Sequence, residues 1–328
     1  MALTLVASTF RSLLTPIAPF TWYDIPISTL DVLAALRLCV VLRQLREVAQ
    51  AEHRASRSSP TDGSIEKRRS IEEEEKSFVK DATTALVVVY GGEAVVLPWL
   101  GTSPSFLFSP VVPGLYTFLT YVVESLPSIP PMSLKTELPL SILDGFSRSY
   151  LLCDLIPPVV TTLKTRDLAD SPWTMLISAL FIPNTGFLLV SVFSMLHPAG
   201  YALATPPELS ARGWTTMDIW VAPLVTGLYA LTTHTQPAWG AVHEGVYTLV
   251  RWTAMGGDGE GEKGVHAVDR ETARAACAIL LMGLFITRTM KNFGGDYVRE
   301  MFAGGFSKKV IIRSKVDGKP YRGKVKTQ

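Results

Sequence analysis

The residues that could do chemistry in this chain stand where they are most costly to keep. Residues 138–197 hold two apolar segments, each long enough to cross a bilayer, joined by the short polar link 164–170. The first carries Asp144, Arg148 and Asp154 inside otherwise apolar sequence, and the second is interrupted by Pro183, Asn184, Thr185 and Gly186. At membrane depth, an ionisable side chain or a broken helix is expensive unless it faces protein or water. The chemistry that uses such features is the passage of something polar. Carbonyls freed at a break replace part of an ion's hydration shell, and carboxylates set the local potential. Gly91, Gly92 and Glu93 form a comparable feature in an earlier apolar segment. Paired glycines weaken a helix, so this pair reads either as a kink or as a small-residue contact between helices. Asp144 and Arg148 are four apart on one helical face and can neutralise each other, which would leave Asp154 as the freer carboxylate.

Enzyme chemistry has less to build on. The five histidines (His53, His197, His234, His243 and His266) are scattered, with no His-rich box, HExxH or Gly-x-Ser-x-Gly. Cys39, Cys153 and Cys277 each fall inside an apolar segment without a CxxC or Cys/His partner, so neither a disulfide framework nor a zinc site is expected. The Gly- and charge-rich loop at 256–264 lacks EF-hand spacing. No metal, cofactor or nucleic-acid partner is expected; an anionic lipid is the one bound molecule considered.

These residues must be positioned by helices. Of 328 residues, 48% are hydrophobic and 18% charged, against about 25% charged in a typical soluble protein. Mean hydropathy is +0.26. The expectation is an all-α polytopic membrane protein with seven spans: 25–41, 78–100, 106–126, two within 138–197, then 217–239 and 273–290. Residues 1–24 read as an interfacial segment rather than a cleaved signal, because no basic residue precedes the apolar run. Residues 25–290 form the membrane domain, into which 47–77, dense in Ser, Pro, Gly and charge, is inserted as a disordered cytosolic loop. Asp31 and Arg37 lie in the first span, with Arg37 reaching toward its end. Residues 291–328 are a basic tail.

Basic residues fill the 47–77 loop and the tail, which an odd number of spans places on one side; the positive-inside rule makes that side cytosolic and the N-terminus lumenal. Lys326 and Lys324, third and fifth from the end, then resemble a dilysine signal for retrieval to the endoplasmic reticulum. Spans 1–3 and 4–6 can be laid over each other as two inverted three-helix repeats, with the seventh extra. The second and fifth spans correspond, and both contain helix-weakening residues, which points to a transport pathway at the repeat interface.

Residues 89–106, beginning Val89-Tyr90-Gly91-Gly92-Glu93, resemble the second helix of the trimeric intracellular cation channels. Leu138-Pro139-Leu140 opens the fourth span, a basic residue follows, Trp173 starts the fifth, and a glycine-containing break lies within it. The resemblance covers about residues 20–290. It implies a homotrimer with one pore per protomer, lined by kinked helices 2 and 5, passing potassium as counter-current to calcium release. On that resemblance Gly91 and Gly92 stand at the second-helix glycine motif and Gly186 at that of the fifth. Arg148 matches the first basic residue of a fourth-helix Lys-Glu-x-x-Arg pattern that contacts an anionic phosphoinositide. Leu152 stands at the second basic position, Ser149 at the acid, and Asn184-Thr185-Gly186 where the family has a glycine-flanked lysine. The leading reading is therefore a monovalent cation channel of an intracellular membrane. A non-conducting endoplasmic-reticulum scaffold and a secondary carrier remain alternatives.

Overall fold

The computed structural model describes residues 1–22, 25–58, 77–255 and 265–302, and these are mostly helical. α1 (Ala2–Leu13) is followed by a short antiparallel hairpin, β1 (Pro16–Trp22) and β2 (Ile25–Ser28), in which Trp22 pairs with Ile25. The first span is thus strand at its start, and its helix α2 runs Thr29–Ser58. Asp31 closes the junction: its Oδ2 accepts from the Ser28 amide (2.8 Å) and hydroxyl (2.7 Å), while Ser28 Oγ accepts from the Asp31 amide. That reciprocal arrangement satisfies donors that a helix start leaves open.

α2 continues beyond the apolar run, so residues 47–58 are helical where the sequence reads as loop. Helix-forming residues and the Arg43–Glu47 pair, 2.9 Å apart one turn along, supply the reason. Residues 59–76 lie outside the described residues, as do 303–328 and with them Lys324 and Lys326.

α3 spans Phe78–Val96 without interruption. No break in the helix accompanies Gly91-Gly92, and of the two readings, kink or close contact, the glycines provide the close contact. α4 is Val111–Ser125, with Pro110 at its N-cap and Pro113 in its first turn, where a missing N–H costs nothing. α5 (Leu134–Tyr150) passes through a π-helical turn, Leu151–Leu155, into α6 (Ile156–Thr161). Pro157 and Pro158 have no N–H to return to that turn; the Ile156 N–H reaches Leu151 instead, a five-residue spacing. α7 (Arg166–Ala169) leads to α8 (Pro172–Phe181) and α9 (Thr185–Val192), which are bent by 42° at the Pro183 break. α10 is Met217–Thr233.

Two further differences concern the C-terminal part. Residues read as a loop after the sixth span form α11 (Pro237–Met255), started by Pro237 in its first turn. α12 runs Arg270–Phe302, past the expected span end at 290 and into the tail. Among the described residues, one helix (Arg270–Gly295) is long and apolar enough to cross a membrane, and the bent α8–α9 pair passes the same test jointly.

The core joins the later elements: Leu152, Cys153 and Ile156 of the π turn and α6 pack with Val225 and Tyr229 of α10 and Cys277 and Leu281 of α12. A second cluster seats Phe10 of α1 against Leu30, Phe146 and Ala278. A third joins α2 to α4 through Ala35, Cys39, Leu119 and Val123. All three cysteines are buried.

Candidate functional site

The site is built where α3 crosses the broken pair α8–α9. Gly91, Gly92 and Gly186 are all buried there. A Cβ on Gly92 would lie 1.8 Å from the Ile182 carbonyl oxygen, and one on Gly186 would lie 2.0 Å from that of Val88. Val88 precedes Gly92 by one helical turn, and Ile182 precedes Gly186 by the same interval. Each glycine therefore receives the backbone one turn before the other. A Cβ on Gly91 would stand 3.0 Å from the Gly186 Cα. Only residues without a side chain permit this approach.

The break itself is closed by side chains. Pro183 cannot donate, and the carbonyls around it find other partners. Asn184 Nδ2 donates to the Leu180 carbonyl (2.8 Å), and Thr185 Oγ1 to that of Phe181 (2.7 Å). The Pro183 carbonyl takes a donor from another helix: Arg148 Nη1 of α5 lies 3.4 Å away. The other arm of Arg148 reaches Asp218 Oδ1 of α10, also at 3.4 Å. Arg288 of α12 donates to the same carboxylate, to Oδ1 at 3.0 Å and Oδ2 at 3.2 Å. The sequence brings four of its expected residues together here, Arg148 with Pro183, Asn184 and Thr185, and the two glycine motifs beside them.

The expected charge pairing is different. Asp144 does not neutralise Arg148, although one helical turn separates them. It accepts instead from Arg37 of α2, whose Nη2 also donates to Glu137 at 2.7 Å. Arg37 thus binds across to α5 rather than reaching for the end of its own helix. Asp154 is not the freer carboxylate either: Arg274 Nη1 of α12 approaches it to 2.5 Å and stacks over the Phe10 ring at 4.5 Å. For Asp144 and Arg148, the pair within one helix competes with partners on neighbouring helices, and the contacts between helices win. Asp154 differs because α12 supplies a partner distant in sequence.

Glu93 serves the loop that follows α3, accepting from the Ser105 amide (2.9 Å) and hydroxyl (2.6 Å). Arg46 of α2 bridges Asp81 of α3 and Glu124 of α4, the latter at 2.6 Å, beside a small pocket lined also by Arg43, Thr84 and Thr120. Two histidines that are scattered in sequence meet in space, His234 Nε2 lying 2.8 Å from His243 Nδ1. The partners that sequence reasoning missed are Glu137, Arg274 and Arg288. Their one visible signal was charge within or beside an apolar run. No family model, curated protein or solved structure matches this chain.

Proposed function

We propose that this chain is a divergent relative of the trimeric intracellular cation channels: a seven-span membrane protein passing monovalent cations, potassium foremost. The spans are α2, α3, α4, α5–α6, α8–α9, α10 and α12, with the pathway between α3 and the broken α8–α9. The observation that carries the reading is the reciprocal glycine crossing with Arg148 at the Pro183 carbonyl beside it. A crossing at which backbone meets backbone can slide with few side chains to unlock, and a cation at the break would meet carbonyl oxygen.

Outward-facing apolar residues support the membrane assignment. Trp220, Leu224 and Leu228 of α10 are 41%, 49% and 38% exposed along one face, and Phe118, Tyr121 and Trp173 are exposed as well. A surface patch of this kind needs a covering in water and none in lipid. By the positive-inside rule the N-terminus is lumenal and the tail cytosolic, in an endoplasmic-reticulum membrane. A homotrimer and an anionic lipid near the basic end complete the proposal.

In the described geometry the Ile182 and Val88 carbonyl oxygens lie directly against Gly92 and Gly186. The tightness of that contact, as distinct from its glycine composition, suits a second reading, a scaffold of the same membrane that does not conduct. Potassium flux through the purified protein in liposomes, with sodium and chloride for comparison, separates the two. Cation-selective flux at channel rates, altered by Arg148→Ala without loss of folding, is expected. Flux that saturates or needs a co-substrate moves the reading to a carrier, and absence of flux from folded protein leaves the scaffold.

A further inference from the structure

We propose that Arg288 is a positioning residue that holds Arg148 at the helix break by occupying Asp218; this rests on the channel reading above. Asp218 brings one negative charge to two guanidinium groups. One Arg288 nitrogen, Nη1, lies between both of its oxygens, at 3.0 and 3.2 Å, whereas Arg148 makes one contact at 3.4 Å to an oxygen it shares. Charged hydrogen bonds at full strength lie near 2.7–2.9 Å, so the Arg148 contact is the slack one. Its other contact, to the Pro183 carbonyl, is equally long. The Arg148 side chain is therefore loosely tethered at both ends.

Arg288 has firmer support. Its guanidinium lies over the Phe285 ring at 5.0 Å. Its neighbour Thr289 is buried, with its hydroxyl 2.7 Å from that of Ser141 on α5. Asp218 is held on the first turn of α10. Two positive groups on one carboxylate repel, and the one with two contacts keeps the site. Arg148 is thereby left between the two, 3.4 Å from the Pro183 carbonyl and 3.4 Å from Asp218, where its charge opposes a cation entering at the break. Without Arg288, both oxygens of Asp218 become available to Arg148, which leaves the carbonyl.

Opposite changes at two contacting residues follow. Arg288→Gln is expected to raise potassium flux, because Arg148 moves to Asp218. Asp218→Asn is expected to lower it, because Arg148 loses its alternative partner and keeps its charge at the break. Changes of the same sign overturn the proposal.

A second measurement does not depend on conduction. Thermal unfolding of the purified protein gives the loss of melting temperature caused by Arg148→Gln, alone and in the Arg288→Gln background. The loss is expected to be larger in that background, where the Arg148–Asp218 pair has tightened; an equal or smaller loss overturns the proposal. If the Arg288→Gln protein does not fold, Arg288→Lys keeps the charge but reaches fewer oxygens, and the same comparison applies with a smaller rise expected. A silent wild-type protein would remove the channel reading, while the unfolding comparison would still decide whether Arg288 governs the place of Arg148.

Discussion

Gly92 and Gly186 exchange roles across the α3–α9 crossing: each lies against the carbonyl of the residue one turn before the other, Ile182 and Val88. The relationship makes the crossing intolerant of a methyl group, since the atoms in the way are backbone. Gly92→Ala and Gly186→Ala are each expected to destabilise by about 1–3 kcal/mol, the cost of forcing atoms into a packed contact. Gly283 on α12 has nothing within 4 Å of a built Cβ, so Gly283→Ala is expected to hold or raise stability through helix propensity. Thermal unfolding under one set of conditions measures all three. Equal behaviour at Gly92 and Gly283 would contradict the crossing.

Arg37 carries two carboxylates, Glu137 and Asp144, seven residues apart on one face of α5. Glu137 is 8% exposed. Removing the cation leaves the buried Glu137 carboxylate and the half-buried Asp144 without their shared partner, a loss of about 3–5 kcal/mol by analogy with other broken buried pairs. Arg37→Met is expected to be severely destabilised, and adding Glu137→Gln and Asp144→Asn to restore much of the loss. A melting series across the single and triple variants checks this. No recovery in the triple variant would show that Arg37 acts through its packed stem alone.

The helical character, the break at Pro183 and the two glycine motifs were legible because proline, glycine and long apolar runs act on the chain locally. Three things were not. Continuity of α3 through Gly91-Gly92 depends on what packs there, since paired glycines permit a kink but do not require one. Charge partners depend on tertiary placement: Asp144 and Arg148 sit one turn apart, yet Arg37 and Asp218, distant in sequence, take them. The helix α11 lay in sequence whose apolar residues are interrupted by Gly240, Gly245, His243, Glu244 and Arg251 and run directly into a glycine-rich stretch, and Pro237 was its one start signal.

That rearranged pairing has a direct measurement. If Asp144 and Arg148 belong to separate networks, the stability losses of Asp144→Asn and Arg148→Gln are expected to add within about 0.5 kcal/mol. The corresponding cycle for Arg37 and Glu137, 2.7 Å apart and both largely buried, is expected to show a coupling of about 1 kcal/mol or more. Chemical or thermal unfolding of the four single and two double variants supplies both cycles. A large Asp144–Arg148 coupling would restore the within-helix pair.

Phe10 fixes α1 to the helical body. Its side chain is fully buried, meets Phe146 edge-on at 4.8 Å, and lies under the Arg274 guanidinium that pairs with Asp154. Arg11 beside it reaches Glu271 of α12 at 2.5 Å, but that pair is exposed and contributes little. The aromatic contact is therefore the anchor and the ion pair is not. Phe10→Ala is expected to cost about 3–5 kcal/mol and to release α1, so that protease cuts the chain between α1 and α2 sooner than in the unaltered protein. Arg11→Ala is expected to leave both melting temperature and cleavage rate close to unaltered. Limited proteolysis of the two variants side by side distinguishes these outcomes. Early cleavage in Arg11→Ala with normal cleavage in Phe10→Ala would reverse the assignment and make the ion pair to Glu271 the tether of α1.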